Sequence, residues 1–326
     1  MKLILPKHWE SEGFVNKLLS PASYFYARAT AKKLTAKAYR PKAKVVCIGN
    51  ITAGGAGKTP VAIAVAQILQ AEMKNVHFIT TGFGRQKTEN MGAVKVKAQN
   101  ATEVGDEPLL LAAVAPTWVG DDRAELAKAA ENAGADVIIM DDGFQNGEVE
   151  KDFSIIVIDG GYGFGNRRVI PAGPLREPFE VAIKRADAVV IIGEVTKPLP
   201  DLTGYDLKIF NANIIQDIPE NVKDEDVVAF CGIGRPEKFF QALKKNKIKL
   251  VEELAFPDHH YYNEADFKAI FGIANSHKAV IVTTSKDMVK VPERFRKIIY
   301  PIKAELEFAK TDKVKKFLMK KLDAKN

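Results

Sequence analysis

Acidic residues are absent from one stretch of this chain where basic ones are dense. Between Glu12 and Glu72 there is no Asp or Glu, while the interval holds Lys17, Arg28, Lys32, Lys33, Lys37, Arg40, Lys42, Lys44 and Lys58. Cysteine is scarce as well. Cys47 and Cys231 both sit in apolar, strand-like runs, which excludes a disulfide framework and a cysteine metal site and reads as two reduced core thiols of a cytosolic protein. No uninterrupted apolar stretch reaches the ~18–20 residues that cross a bilayer, and no cleavable signal peptide is expected. Internal repeats and low-complexity segments are missing too. Proline and glycine stay at 16 and 23 in 326 residues with 46% hydrophobic content, so the chain is not disordered by composition and can fill about two domains.

What is present is a net charge of +7, concentrated near the N-terminus among Phe14, Leu18, Leu19, Tyr24, Phe25 and Tyr26. Cations meet lipid phosphates while aromatic rings enter the interface, so this segment suits an anionic membrane surface. The competing reading is an amphipathic helix docked on the protein core with a solvated basic face. Nucleic acid is a third taker of basic charge, but no recognition motif accompanies it. Residues 1–43 are predicted as one or two helices, interrupted near Ser20-Pro21.

After the apolar run Val45–Ile48, the residues Thr52, Ala53, Gly54, Gly55, Ala56, Gly57, Lys58 and Thr59 form a phosphate-cradling loop between a strand and a helix. The glycines let successive N–H groups turn toward phosphate oxygens. Lys58 would reach the β- and γ-phosphates and the Thr59 hydroxyl would sit on Mg²⁺. Pro60 falls in the first helical turn, where its missing N–H costs little. Thr52 stands where the usual pattern has its first Gly.

From residue 44 onward apolar runs alternate with helical stretches. Strands are predicted at Val76–Thr80, Thr117–Val119, Val137–Met140, Ser154–Ile158 and Ala188–Ile192, and helices at 60–73, 107–115, 121–133 and 178–186. Continuous apolar strands alternating with helices predict an α/β fold, a phosphate-loop NTPase core on a mainly parallel sheet. A second, smaller α/β set starts near 226, with strands at 227–231, 248–253 and 279–283, helices at 236–245 and 263–274, and a last helix at 311–322. The expected organisation is an N-terminal basic segment (1–43), the core (44–205), a connection (206–225) holding Pro219, and the smaller domain (226–326).

Other motifs carry alternatives. Asp141 and Asp142 end an apolar strand, where a carboxylate near a phosphate loop holds Mg²⁺ through its water shell; Asp-Asp-Gly is also good turn chemistry. Asp106 either caps the following helix or faces the site as a base for a hydroxyl, and the residues alone favour the cap. Arg176, in Pro171–Pro178, either neutralises phosphate charge or forms an ion pair with Glu177 or elsewhere. Gly82-Phe83-Gly84-Arg85 is a weaker basic loop. His259 and His260 are adjacent, which disfavours a shared metal, and one could share a proton with a carboxylate. Ser285-Lys286-Asp287 ends a strand and either stabilises the domain or touches nucleotide.

Taken in order, GNITAGGAGKTP at 49–60, GDEPLLLA at 105–112, DDGFQ at 141–145, GNRRVIPAGPLREP at 165–178, GIGRPEKFF at 232–240, FPDHHYY at 256–262 and TTSKDMVK at 283–290 resemble the tetraacyldisaccharide 4′-kinase family. The Thr at position 52 is consistent with that family. The resemblance implies an ATP- and Mg²⁺-dependent kinase on the cytoplasmic face of a Gram-negative inner membrane, peripheral or monotopic. Its lipid substrate would be a tetraacyldisaccharide 1-phosphate, phosphorylated on the 4′-hydroxyl to lipid IVA, with no nucleic acid and no obligate protein partner. It implies Lys58 and Thr59 as phosphate and Mg²⁺ groups, Asp141 and Asp142 as metal-site carboxylates, and Asp106 as the base with His259 as its partner. Arg176 and Glu177 match the family's active-site loop, the latter as a further metal-site carboxylate. Two positions depart from the family pattern: Asn146 where His is usual, and Thr81 where Arg is usual. The rival classes are a membrane-surface ATPase switch that phosphorylates no lipid, and a soluble small-molecule kinase on the same core.

Overall fold

The computed structural model describes residues 6–35, 37–85 and 91–324. Its framework is one twelve-stranded sheet among these residues: β1 (Lys44–Gly49), β2 (Val76–Thr80), β3 (Val94–Lys95), β4 (Thr117–Val119), β5 (Val137–Asp141), β6 (Phe153–Asp159), β7 (Ala188–Ile192), β8 (Lys208–Asp217), β9 (Asp226–Cys231), β10 (Lys249–Ala255), β11 (Val280–Thr284) and β12 (Ile299–Phe308). The spatial order is β10-β9-β11-β12-β8-β7-β6-β1-β5-β2-β4-β3. Pairing is parallel except at β3–β4 and β8–β12.

The apolar runs are continuous because both faces are covered. Val46 and Ile48 of β1 face the helix Lys58–Ala71, whose Val61, Val65 and Leu69 are fully buried; Val45 and Cys47 face the opposite layer with Leu126, Ala127 and Ile183. Each fully buried side chain of this size contributes about 1.5–3 kcal/mol. A second pair of layers surrounds β9 and β11, with Phe240 and Leu243 on one face and Phe267 and Ile270 on the other.

The 206–225 stretch holds β8 and a short helix, Glu220–Lys223. β8 pairs with β7, and its other edge takes the second half of β12, Lys303–Phe308. The first half of β12, Ile299–Ile302, pairs with β11. One strand therefore joins the two β-systems. Neither β8 nor β12 was legible as a strand; along β8 burial alternates, but Ala212 is its only buried residue and the exposed face carries Ile209 and Ile215, which blurs the apolar–polar pattern.

The expected break near Ser20-Pro21 does not occur: Phe14–Leu34 is one helix with Pro21 inside it. Side-chain anchors on both sides of the proline, Asn16 and Ser23, hold the helix to the segment 169–172, which offsets the lost backbone bond. Residues 1–5 and 36 of the expected N-terminal segment lie outside the described residues. The helix is docked by its polar side and turns its apolar side outward. Asn16 and Ser23 are buried, while Phe14, Leu18 and Phe25 are 79%, 69% and 69% exposed. That is the reverse of a helix docked on a core with a solvated basic face. Among the described residues no helix is long and apolar enough to cross a membrane.

Candidate active site

β1 and β5 lie side by side with Ile48 opposite Asp141, so the loop after β1 and the carboxylates after β5 meet at the same sheet edge. Gly57 caps the helix Lys58–Ala71 at φ 85°, in the left-handed region, and a Cβ there would come 2.6 Å from Ile192 Cδ1. Only glycine meets both demands. Gly54 and Gly55 are exposed, and Thr52 and Ala56 are buried. The Ala53 N–H donates to Pro174 O (2.7 Å) and the Arg176 N–H to Ile51 O (2.7 Å), which fastens the first half of the phosphate loop to the segment carrying Arg176.

The Thr59 hydroxyl donates to Asp141 Oδ2 at 3.1 Å. Lys58 Nζ lies 3.7 Å from Asp142, and the Arg176 guanidinium donates to both Asp142 oxygens at 2.8 and 3.2 Å. Asp142 holds a left-handed φ of 51°, a strained state for a non-glycine residue; Arg123 steadies the turn by donating to the Asp141 and Asp142 carbonyls. The two carboxyls differ sharply. Burial, then the charge of Glu107, pushes Asp141 up to about 7. For Asp142 burial works the same way, but Lys58 and Arg176 outweigh it and hold the group at about 2.

Asp141 Oδ1 is buried without a hydrogen-bond partner among the described residues. An orphaned carboxylate oxygen beside a threonine hydroxyl suits a hard cation. No group of three His, Cys, Asp or Glu side chains among the described residues could hold a metal by itself. That is compatible with Mg²⁺, which takes one or two carboxylates and completes its shell with water and nucleotide oxygens.

Glu177 is placed differently from the sequence expectation. Its buried carboxylate accepts from Gln145 Nε2 at 2.9 Å and pairs with Arg185. Gln145 in turn accepts from Arg176 at 3.3 Å. Glu177 thus anchors Arg176 through Gln145, with one protein donor on each carboxylate oxygen. Arg176 itself pairs with Asp142 rather than with Glu177.

Asp106 comes from the opposite wall. It is the first residue of the helix Asp106–Ala112, with Gly105 as N-cap, so the cap expected of Asp106 belongs to the glycine. The Asp106 carboxylate is 3% exposed and meets His259 Nδ1 at 3.0 and 3.1 Å, across 153 positions of chain. Lys286 Nζ lies 3.3 Å from His259 Nε2, 3.4 Å from Glu107 and 3.9 Å from both Asp106 and Asp258. A lysine ammonium only donates, so Nε2 is the acceptor and Nδ1 carries the proton given to Asp106. Burial opposes ionisation of Asp106, but the His259 hydrogen bond, Lys286 and Lys290 outweigh it and hold the carboxyl below its ordinary value. Burial likewise opposes a charge on Lys286, and Glu107, Asp106 and Asp258 reverse that and raise it.

Phe83, 63% exposed, sets its ring edge-on to His259, and Tyr261 donates to Gly84 O at 2.7 Å, so the Gly82–Arg85 loop walls this side. Arg85 gives its guanidinium to Asp121 (2.5 Å) and Thr81 O (3.0 Å) and is structural. It does not supply the cation missing at position 81. Among the described residues the Asn146 side chain bonds to its neighbour Glu148. His260 stacks on Phe256 and pairs with Asp266 at 2.9 Å, away from His259's role.

The structure brings together Lys58, Thr59, Asp141, Asp142 and Arg176 on one side and Asp106 with His259 on the other, with Glu107 between them. Sequence reasoning missed Glu107, Gln145 and Arg123, and left Lys286 between stabilising its domain and touching nucleotide. Gln145 and Lys286 lie inside quoted motifs, DDGFQ and TTSKDMVK, which was the available signal. Arg123 carried none.

The model of the tetraacyldisaccharide-1-P 4′-kinase family matches residues 15–323. The chain is 44% identical over 307 residues to the tetraacyldisaccharide 4′-kinase of Paramagnetospirillum magneticum, covering 93% of this chain and 94% of that protein. To that of Rhodospirillum rubrum it is 45% identical over 294 residues, covering 88% of each. Among solved structures it is similar to LpxK from Aquifex aeolicus, an "apo" form in complex with ATP, at a TM-score of 0.77 and 26% identity over 95% of this chain and 100% of that one.

Proposed function

The chain belongs to the tetraacyldisaccharide 4′-kinase family, and on that premise we propose that it transfers the γ-phosphate of ATP to the 4′-hydroxyl of a tetraacyldisaccharide 1-phosphate, giving lipid IVA at the cytoplasmic face of the inner membrane. The observation that supports this reading best is the pair of sites just described. A phosphate loop with its carboxylates feels the charge of Glu107, the neighbour in sequence of a buried Asp106 that His259 and Lys286 hold in place.

In this reading the loop backbone, Lys58 and Arg176 bind and neutralise the phosphates. Both cations sit on Asp142 in this structure, within reach of where charge is transferred. Thr59, Asp141 and Asp142 would hold Mg²⁺, which when bound polarises the phosphoryl oxygens and offsets their charge. Glu177 and Gln145 fix the direction of Arg176. Asp106 receives the hydroxyl proton at a carboxylate oxygen. A weak base is adequate because, in a loose transition state, proton loss lags behind cleavage of the bond to the leaving phosphate. The outward apolar face of Phe14–Leu34, followed by Arg28, Lys32 and Lys33, would rest in an anionic lipid surface and bring the site to a substrate that does not leave it.

The test is transfer of ³²P from γ-labelled ATP to tetraacyldisaccharide 1-phosphate in mixed micelles, with and without Mg²⁺. A labelled bis-phosphorylated lipid that requires Mg²⁺ is the expected outcome. Release of free phosphate without labelled lipid would replace the kinase with an ATPase switch.

A further inference from the structure

Four backbone groups of the segment Val169–Ala172 are held by side chains from the N-terminal part of the chain: Val169 O, Pro171 O and both polar groups of Ala172. Ser23 Oγ donates to Val169 O at 2.7 Å and accepts from the Ala172 N–H at 3.1 Å. Asn16 Nδ2 donates to Ala172 O at 2.7 Å, and Trp9 Nε1 to Pro171 O at 2.9 Å. Asn166 adds a second donor to Ala172 O at 3.0 Å and ties it to His8 O. Asn16 and Ser23 are also the buried residues of a helix that is otherwise turned outward.

The same segment continues into the site. Gly173 donates to Val169 O at 3.1 Å and Leu175 to Arg168 O at 2.9 Å, which closes the loop on itself. Pro174 O then holds Ala53 of the phosphate loop, and the Arg176 N–H is held by Ile51 O. Leu175 is fully buried and bridges to Thr52. From Ser23 to the Arg176 guanidinium there is one short, closed loop, and nothing in it is a free surface turn.

We propose that Ser23 and Asn16 are positioning residues for phosphoryl transfer. By fixing Val169–Ala172 they set the path of Pro174–Arg176, so the helix that carries the outward apolar face is also part of the frame that aims Arg176 and the first half of the phosphate loop. This rests on the kinase reading above and extends it: the element facing lipid and the group neutralising transferred charge are mechanically one unit. A misplacement of order an ångström at a positioned catalytic group is enough to lower a rate by up to about a hundredfold.

Ser23→Thr and Ser23→Val have nearly the same shape and differ in the hydroxyl. Each is compared with wild type for kcat and KM in the labelled-lipid assay, for binding of a fluorescent ATP analogue, and for co-sedimentation with vesicles of phosphatidylethanolamine and phosphatidylglycerol. The expected result is that Thr keeps kcat within about threefold while Val loses about tenfold or more. Vesicle binding and the lipid KM of both stay near wild type. Asn16→Asp, which keeps size but removes the donor, is expected to lose kcat like Val. Equal kcat for Thr and Val in an active wild-type background would overturn the proposal, as would a Val defect confined to vesicle binding or lipid KM. A wild-type enzyme that labels no lipid would instead overturn the kinase reading, so the two failures are distinguishable.

Discussion

The phosphate side and the proton side of the candidate site are built in opposite ways. Asp141 and Asp142 lie at the end of β5, and Lys58 and Thr59 open the helix Lys58–Ala71 that follows the neighbouring β1, so each lies within a residue or two of a strand or helix terminus. Asp106 and His259 come from segments 153 positions apart and meet only because the β9–β11 system packs against the core. The first arrangement follows from local chain geometry once β1 and β5 pair. The second exists only in the assembled molecule. The difference teaches that nucleotide binding and hydroxyl activation should be separable by mutation.

The sharpest break is expected on the phosphate side. Lys58→Ala should lower turnover about a thousandfold by removing a cation from the transferred phosphoryl group, and steady-state labelling of lipid measures it. A wild-type rate in that variant would remove the loop from the mechanism. Next, Asp106→Ala should lower turnover by about a hundredfold to a thousandfold while ATP affinity stays within about twofold. Calorimetric titration with an ATP analogue would reveal the two sides as one if affinity fell along with the rate.

A third difference concerns stability. Because the folded Asp141 carboxyl is raised to about 7 above an unfolded value of ~3.9, its contribution is fully present below pH ~4 and lost as pH rises through about 7. Asp141→Asn should therefore stabilise the metal-free protein by up to about 4 kcal/mol at pH 8, with little effect at pH 4. Urea unfolding at the two pH values decides this, and an equal effect at both would refute the buried-charge account. On the proton side the smallest change is expected. Lys286→Met removes a cation that helps hold Asp106 below its ordinary value, so the Asp106 pKa should rise. The acid limb of kcat against pH should move upward, with a loss of about tenfold at the optimum. An unmoved limb would separate Lys286 from the base.

Much of the core was legible. β2, β4 and β7 match the predicted strands at both ends, because strands covered on both faces leave an unbroken apolar run. β8 and β12 were not, since they are half-exposed and join two β-systems. The phosphate loop was legible as spacing. Glu177 was not, since the motif named the residue while Gln145 and Arg185 decide where its carboxylate points. Pro21 was read as a break because the anchoring partners of the helix lie some 150 positions away.

By itself the sequence determined the alternation of buried strands and helices, the phosphate loop, the carboxylates at the end of β5 and the acid-free basic segment. These depend on residue type and short-range spacing, which the chain carries wherever it is. Tertiary structure alone decided that Asp106 meets His259 and Lys286, that Glu177 holds Gln145 and Arg185, and that the N-terminal helix turns Phe14, Leu18 and Phe25 outward. Those outcomes depend on which distant groups share one small volume, where burial and charge are set by neighbours rather than by the residues themselves.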